Sequence, residues 1–69
     1  MTRKDYLLIA KALHKARTEI TSNFAEEVQF LAQMHQARVE FAFSEALSER
    51  NPRFDTDMFL TNCREGVPG

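Results

Sequence analysis

The fold is decided by one long stretch, residues 24–50, which reads FAEEVQFLAQMHQARVEFAFSEALSER. It contains no glycine or proline, and its apolar residues recur at steps of three and four. The stretch therefore predicts one helix over residues 24–50, about 40 Å long at about 1.5 Å per residue. Asn51-Pro52 ends this helix, because the residue before a proline avoids helical backbone angles.

The predicted helix has apolar residues on two sides. One side is a heptad-like series of mostly small residues, which another helix can approach closely: Val28, Ala32, His35, Val39, Ala42 and Ala46. The second side is a stripe of larger residues: Phe30, Met34, Ala37 and Phe41. The polar face consists of Glu26, Gln29, Gln33, Gln36 and Glu40. One short partner helix cannot cover both apolar sides.

A first helix is predicted over residues 3–19, about 25 Å long. Thr2 is its expected N-cap, with Asp5 facing the positive end of the helix dipole. Thr21-Ser22-Asn23 then favours a turn, in which Asn23 caps the second helix. A short polar connection makes the two helices antiparallel neighbours. One unbroken helix through this segment is the alternative, since none of the three residues forbids a helix.

A third helix is predicted over residues 56–64. Asp55 is its expected N-cap, and Phe54 with Phe59 forms a hydrophobic staple across its start. Gly66 is expected to end it in the left-handed conformation. We expect this helix to fold back over the far end of the second helix, where three apolar residues need cover: Phe41, Phe43 and Leu47. The chain is therefore predicted to be one all-α domain over residues 1–69, a long antiparallel helical hairpin plus a short third helix.

Composition excludes several classes of function. All glycines and prolines lie at or after Pro52, which excludes a phosphate-binding glycine loop upstream of it. The longest apolar run, residues 6–10, is too short for a membrane span or a signal peptide. A lone cysteine, Cys63, forms no internal disulfide. These features predict a cytoplasmic protein with no membrane partner.

Catalytic and metal chemistry is not expected. His14 and His35 lie on different helices, and no second clustered ligand accompanies either. His35 is predicted to be a partly buried histidine that bonds a neighbour or bridges two helices. Cys63 lies on an apolar face and is predicted to be a small core residue rather than a nucleophile. We therefore predict no enzymatic activity, no catalytic residue, no cofactor and no metal.

Charge is unevenly distributed although the net charge is only −1. The first 20 residues contain five Lys and Arg against two acids, whereas residues 21–50 contain two Arg against five Glu. Lys4, Lys11 and Lys15 share one face of the first helix and are candidates for phosphate contacts. The alternative is a solvated face paired with the acidic second helix. The third helix has too little positive charge for a DNA-recognition helix.

The surplus apolar side of the second helix predicts self-association. Phenylalanine and methionine are typical of buried interfaces, and small helical chains often complete their core by forming oligomers. We predict a homodimer or partner interface at Phe30, Met34, Ala37 and Phe41. A compact three-helix monomer, in which both apolar sides are internal, is the alternative.

The two ends of the chain show a family resemblance. The segments Thr2-x-Lys4-Asp5-Tyr6-x-x-Ile9-Ala10-x-Ala12-Leu13 and Asn51-Pro52-Arg53-Phe54-Asp55-x-x-x-Phe59-Leu60-x-x-Cys63 resemble short proteins encoded by tailed phages, prophages and related mobile elements. The family often has an acid where this chain has Arg50, and Cys-Gly where it has Cys63-Arg64. The resemblance implies a phage-derived protein in a bacterial cytoplasm, and it supplies no catalytic residue.

Taken with the apolar surplus, the resemblance predicts a small non-enzymatic protein that acts by binding another protein. A host protein is the expected partner, and a host or phage process the expected target. The alternative function is a nucleic-acid-binding accessory protein that uses Lys4, Lys11 and Lys15.

Overall fold

The protein is all-α, as a computed structural model that describes residues 3–68 shows. Three helices follow one another: α1 (Arg3–Asn23), α2 (Glu26–Arg50) and α3 (Thr56–Glu65). Residues 3–68 contain no strand. The predicted fold class is confirmed, whereas the predicted cap at Thr2 lies outside the described residues.

The turn between α1 and α2 lies later than predicted. α1 continues to Asn23, and the N-cap of α2 is Ala25, whose side chain makes no capping bond. The predicted cap by Asn23 is therefore wrong. The hydroxyls of Thr21 and Ser22 both donate to the Thr18 carbonyl, at 2.9 and 3.1 Å. Hydroxyls that bond within their own helix no longer compete with it, so the helix continues through them.

α1 and α2 form the predicted antiparallel hairpin. Side-chain bonds join the end of α1 to the start of α2 and the start of α1 to the end of α2. Arg17 bonds Glu40 in the middle, and Tyr6 accepts a bond from Asn51 at 3.1 Å at the open end. The alternative of one unbroken helix is excluded because the backbone leaves the helical conformation at residues 24–25.

α3 begins and ends as its local sequence predicts. Asp55 Oδ1 accepts from the Met58 backbone N–H at 3.0 Å, and the rings of Phe54 and Phe59 lie 5.4 Å apart. Gly66 ends the helix with a φ of 97°, a conformation that glycine adopts without strain. The ring of His14 lies so close to Gly66 that an added Cβ would be 3.2 Å from its Nε2.

The core lies where α3 meets the start of α1 and the end of α2. Its buried members are Ala10, Leu47, Phe59 and Cys63. α3 packs more extensively on α1 than on α2. The prediction that α3 covers the far end of α2 therefore holds for Leu47 and is wrong for Phe41 and Phe43, which stay exposed, because α3 packs mainly on α1.

Candidate functional site

The face of α2 that packs against α1 is polar. We call it the inner face and define it by the buried residues Gln36, Glu40, Ser44 and Leu47. Glu40 is only 2% exposed. Arg17 of α1 donates a hydrogen bond to each oxygen of the Glu40 carboxylate, from Nη2 to Oε1 at 2.6 Å and from Nε to Oε2 at 3.1 Å. This bidentate ion pair is the main polar link between the two long helices.

Every buried polar group on the inner face has a partner. The Gln36 amide donates to the Leu13 carbonyl and to Glu40 Oε2, each at 3.0 Å, and Ser44 Oγ donates to the Phe41 carbonyl at 2.7 Å. Within residues 3–68 no buried side-chain nitrogen or oxygen lacks a hydrogen bond. The hydrogen bonds that Arg17 donates to Glu40 raise the pKa of the Arg17 guanidinium above its usual value.

The inner face reverses the expected arrangement of α2. The small-residue series was predicted to meet another helix, but Val28, His35, Ala42 and Ala46 are exposed, and only Ala32 and Val39 are half-buried. His35 is therefore not the partly buried bridge that the sequence predicts. A protein interior accommodates polar groups that are hydrogen-bonded. Arg17 supplies the positive charge that allows the Glu40 carboxylate to be buried.

All four residues predicted for an interface are exposed: Phe30, Met34, Ala37 and Phe41. Phe30 is 69% exposed, and Ala37 and Phe41 border a cleft between α2 and α3. Leu31 is 66% exposed beside them, and the turn residue Phe24 extends the patch. We call this surface the outer face: Phe24, Val28, Phe30, Leu31, Met34, Ala37 and Phe41.

Sequence reasoning missed Phe24 and Leu31 as members of this surface. Both are exposed large apolar residues in the structure. The signal for Leu31 was present in the heptad spacing, because Leu31 precedes Met34 by three residues, whereas Phe24 lies in the turn before α2. To assign both residues to this surface, one must know which side of α2 faces α1. The hydrophobic pattern does not indicate that side, because the inner face is polar.

The shape of the molecule explains why the outer face stays open. The Cα atoms fill a slab of 39 × 25 × 15 Å. The Cα atoms of one helix lie on a cylinder about 5 Å across, so the smallest dimension of 15 Å corresponds to two layers of helices. α1 and α3 both pack on the inner side of α2, and residues 3–68 contain no further helix to cover the outer face.

The three candidate lysines are exposed on one side of α1. Lys4, Lys11 and Lys15 recur at steps of seven and four, away from the buried residues Ala10 and Ile20. In the described part of the chain none of them forms an ion pair, since the salt bridge there joins Arg17 to Glu40. The expected pairing of these lysines with the acidic second helix is therefore not formed.

Cys63 and His14 have structural positions. Cys63 is fully buried, as predicted, and burial raises the pKa of its thiol to about 11. His14 Nδ1 donates to the backbone carbonyl of Cys63 at 3.0 Å, so the histidine links α1 to α3 without activating the thiol. Across residues 3–68, no group of three or more His, Cys, Asp or Glu side chains could hold a metal ion.

The closing motif that supports the family resemblance consists of residues with folding roles. Asn51 bonds Tyr6, Asp55 caps α3, and the Phe54 ring stacks edge-on against Tyr6 with centroids 4.8 Å apart. Phe59 and Cys63 belong to the core. The motif thus specifies how α3 docks, and the outer face lies outside it.

Comparison of the chain with protein-family models, curated proteins and solved structures finds no match. None of the helices within residues 3–68 combines the length and the hydropathy that crossing a membrane requires.

Proposed function

We propose that this is a small non-enzymatic protein of phage or mobile-element type, which acts by binding another protein through the outer face of α2. Its place of action is the cytoplasm of a bacterial host, where it modulates a host or phage process. The observation that supports the binding role is the outer face itself, on which large apolar side chains are exposed beside Glu27 and Arg38, on a helix whose opposite side is buried.

The shape of the outer face favours a protein partner over a small ligand. Small-molecule sites are concave and enclose most of their ligand, whereas the outer face lies on the convex side of one helix. Phe30, Phe41 and Met34 are residue types enriched in protein interfaces. Exposed apolar patches of this kind mark interaction sites in soluble proteins.

We propose that the same face holds two copies of the chain together. Phe30→Glu and Phe41→Glu each place a charge in the proposed interface, and we expect both to convert the dimer to a monomer. Light scattering measures the molar mass directly. The matched control is Lys15→Glu, which introduces the same charge at a residue that is also exposed but lies on α1. It should leave the molar mass unchanged. A wild-type chain that is monomeric at high concentration contradicts the dimer.

The host-protein interaction is tested by affinity capture from a bacterial lysate. We expect a stoichiometric partner to be retained by the wild-type chain and by Lys15→Glu, and lost with Phe41→Glu. A partner retained equally by Phe41→Glu binds elsewhere and contradicts the role of the outer face. Finding no partner besides the chain itself counts against the host-directed function.

A second candidate function is supported by the lysine side of α1. Because Lys4, Lys11 and Lys15 are exposed together and form no ion pairs with described residues, they are available for phosphate contacts. Nucleic-acid binding through them should weaken steeply with salt and fall when each is changed to Glu. The absence of a mobility shift at low salt removes this candidate.

A further inference from the structure

We propose that two copies of this chain pair through the outer face as antiparallel helices, with the two-fold axis between residues 32 and 33. The inference rests on the self-association part of the proposed function, and it adds the orientation, the register and the residues that fix them. It is carried by three exposed charged residues on the same side of α2 as the outer face: Glu27, Arg38 and Glu45.

The middle line of the solvent side of α2 is a heptad seam. Its members recur at steps of three and four, the spacing of the two contact positions in a coiled coil: Glu27, Leu31, Met34, Arg38, Phe41 and Glu45. All of them are exposed. At about 3.6 residues per turn this line falls on the side away from the buried Gln36 and Glu40.

The charged members of the seam disfavour a parallel pair. In a parallel arrangement each residue faces its own copy, so Glu27 faces Glu27 of the partner subunit and Arg38 faces Arg38 of the partner subunit. Glu45 meets its equivalent in the same way. Like charges facing each other across an interface are strongly unfavourable. An antiparallel arrangement avoids all of these contacts.

The charges also select one antiparallel register. The two kinds of seam position alternate, and antiparallel helices place one kind against the other, so allowed registers differ by seven residues. One of them places Glu27 against Arg38 of the partner subunit, and symmetry forms this ion pair twice. The neighbouring registers place Glu27 against Glu45 or against Leu31 of the partner subunit, which leaves the carboxylate repelled or unpaired.

The apolar layers of that register complement one another. Leu31 lies against Met34 of the partner subunit at the two-fold axis, and symmetry forms this contact twice. Beside the seam, the large Phe30 falls next to the small Ala37 of the partner subunit. Large residues facing small ones pack without voids. The ion pairs then fix the register, as polar seam residues do in coiled coils.

Charge exchange tests the pairing. Glu27→Arg and Arg38→Glu each place like charges together twice per dimer, and we expect the dissociation constant to rise at least about tenfold in either variant. The double variant E27R/R38E restores opposite charges and should return to within about threefold of wild type. Residues 27 and 38 are about 16 Å apart along one helix, so the rescue cannot arise within one chain.

Glu26→Arg is the matched control. Glu26 is also exposed in the first turn of α2, and it lies off the seam. Its substitution reproduces the loss of a favourable helix-dipole charge without a facing charge, so its dissociation constant should match that of wild type. Analytical ultracentrifugation over a concentration series measures all of these constants on the full chain.

A spin-label distance decides the geometry independently. Glu49 is exposed near the end of α2, and the native Cys63 is buried, so a label on Glu49→Cys reports one position. The proposed register places the two labels about 50 Å apart, the neighbouring register centred on residue 36 about 39 Å, and a parallel pair about 10–20 Å.

The outcomes separate this inference from the proposed function. A dimer whose labels lie about 50 Å apart, and whose charge variants behave as stated, supports the pairing. A dimer with a short label distance, or one indifferent to Glu27→Arg, overturns the orientation and register while self-association stands. A chain that remains monomeric overturns the pairing, and the host-partner function is then judged by the Phe41→Glu capture experiment alone.

Discussion

The inner and outer faces of α2 invert the usual distribution of residues in a soluble helix. The inner face buries Gln36, Glu40 and Ser44, and the outer face exposes Phe30, Leu31 and Met34. Each polar group inside has a bonding partner, so the inner face is complete within one chain. The apolar side chains outside lack cover. The difference indicates that the chain folds on one side of α2 and associates on the other.

The largest effect is expected when the inner face loses its ion pair. Arg17→Ala leaves the buried Glu40 carboxylate without its ion-pair partner and with only the hydrogen bond from Gln36, and we expect the free energy of unfolding to fall by about 3 to 4 kcal/mol. Arg17 is 24% exposed, so water compensates part of the loss. Urea unfolding of dilute protein measures the change.

A double substitution controls for side-chain size. Arg17→Met with Glu40→Leu replaces the pair by apolar groups of similar volume and should recover most of the stability. Glu45→Ala on the exposed side should change it by less than about 0.5 kcal/mol. If Arg17→Ala costs no more than Glu45→Ala, the ion pair does not hold the hairpin together.

The next prediction concerns the pH dependence of stability that the buried Cys63 causes. The ordinary thiol pKa of 9.0 is raised to about 11 in Cys63 by burial. The folded thiol keeps its proton at a pH where the unfolded thiol has lost it. Its contribution to stability is therefore complete below about pH 9 and falls by about 2 to 3 kcal/mol as pH rises to 11.

Comparison with Cys63→Ala isolates this effect, since every other ionisable group is present in both proteins. The free energy of unfolding, measured by urea denaturation from pH 7 to pH 11, should fall more steeply for the wild type. Parallel curves for the two proteins contradict the assignment. Substitutions on the outer face should leave this pH dependence of stability unchanged, because the outer-face residues of the monomer are exposed to water.

A smaller effect on stability is expected at Asp55, the N-cap of α3. Asp55→Ala removes the acceptor for the Met58 backbone N–H and should cost about 1 kcal/mol in thermal or urea unfolding. Asp55→Asn keeps the acceptor and serves as the control. Equal losses in the two variants show that the carboxylate charge, rather than the hydrogen bond, stabilises the helix.

The two faces also differ in how far the sequence could predict them. The start and end of α3 were predicted from neighbouring residues, because Asp55, Phe59 and Gly66 act within one or two helical turns. The outer face was predicted in part, since the exposure of Phe30 and Phe41 follows from the presence of apolar residues on more than one side of α2. The signals for α3 lie between residues close in sequence, and the signal for the outer face is the number of apolar residues on α2.

The inner face could not be predicted in the same way. Arg17 and Glu40 are 23 residues apart, and neither spacing nor composition indicates that they meet. A row of glutamines and glutamates is ordinarily solvated, so pattern alone places it outside. The misplaced turn has a similar origin: whether Thr21 and Ser22 end or continue a helix depends on where their hydroxyls bond.

The smallest effect on the monomer, and the sharpest test of the comparison, is expected on the outer face. Phe30→Ala removes a large apolar side chain that is 69% exposed, so the dilute monomer should lose less than about 0.5 kcal/mol of unfolding free energy. Phe59→Ala, at a residue 3% exposed, removes the same atoms from the core and should cost about 3 kcal/mol or more.

Protein concentration then separates folding from association. For Phe59→Ala the loss should be the same at low and high concentration, because the contact lies within one chain. For Phe30→Ala the difference from wild type should appear only at concentrations where the wild type dimerises, because binding adds to apparent stability by mass action. A loss for Phe30→Ala in the dilute monomer means that Phe30 packs on its own chain, and the outer face is then part of the fold rather than a surface for a second molecule.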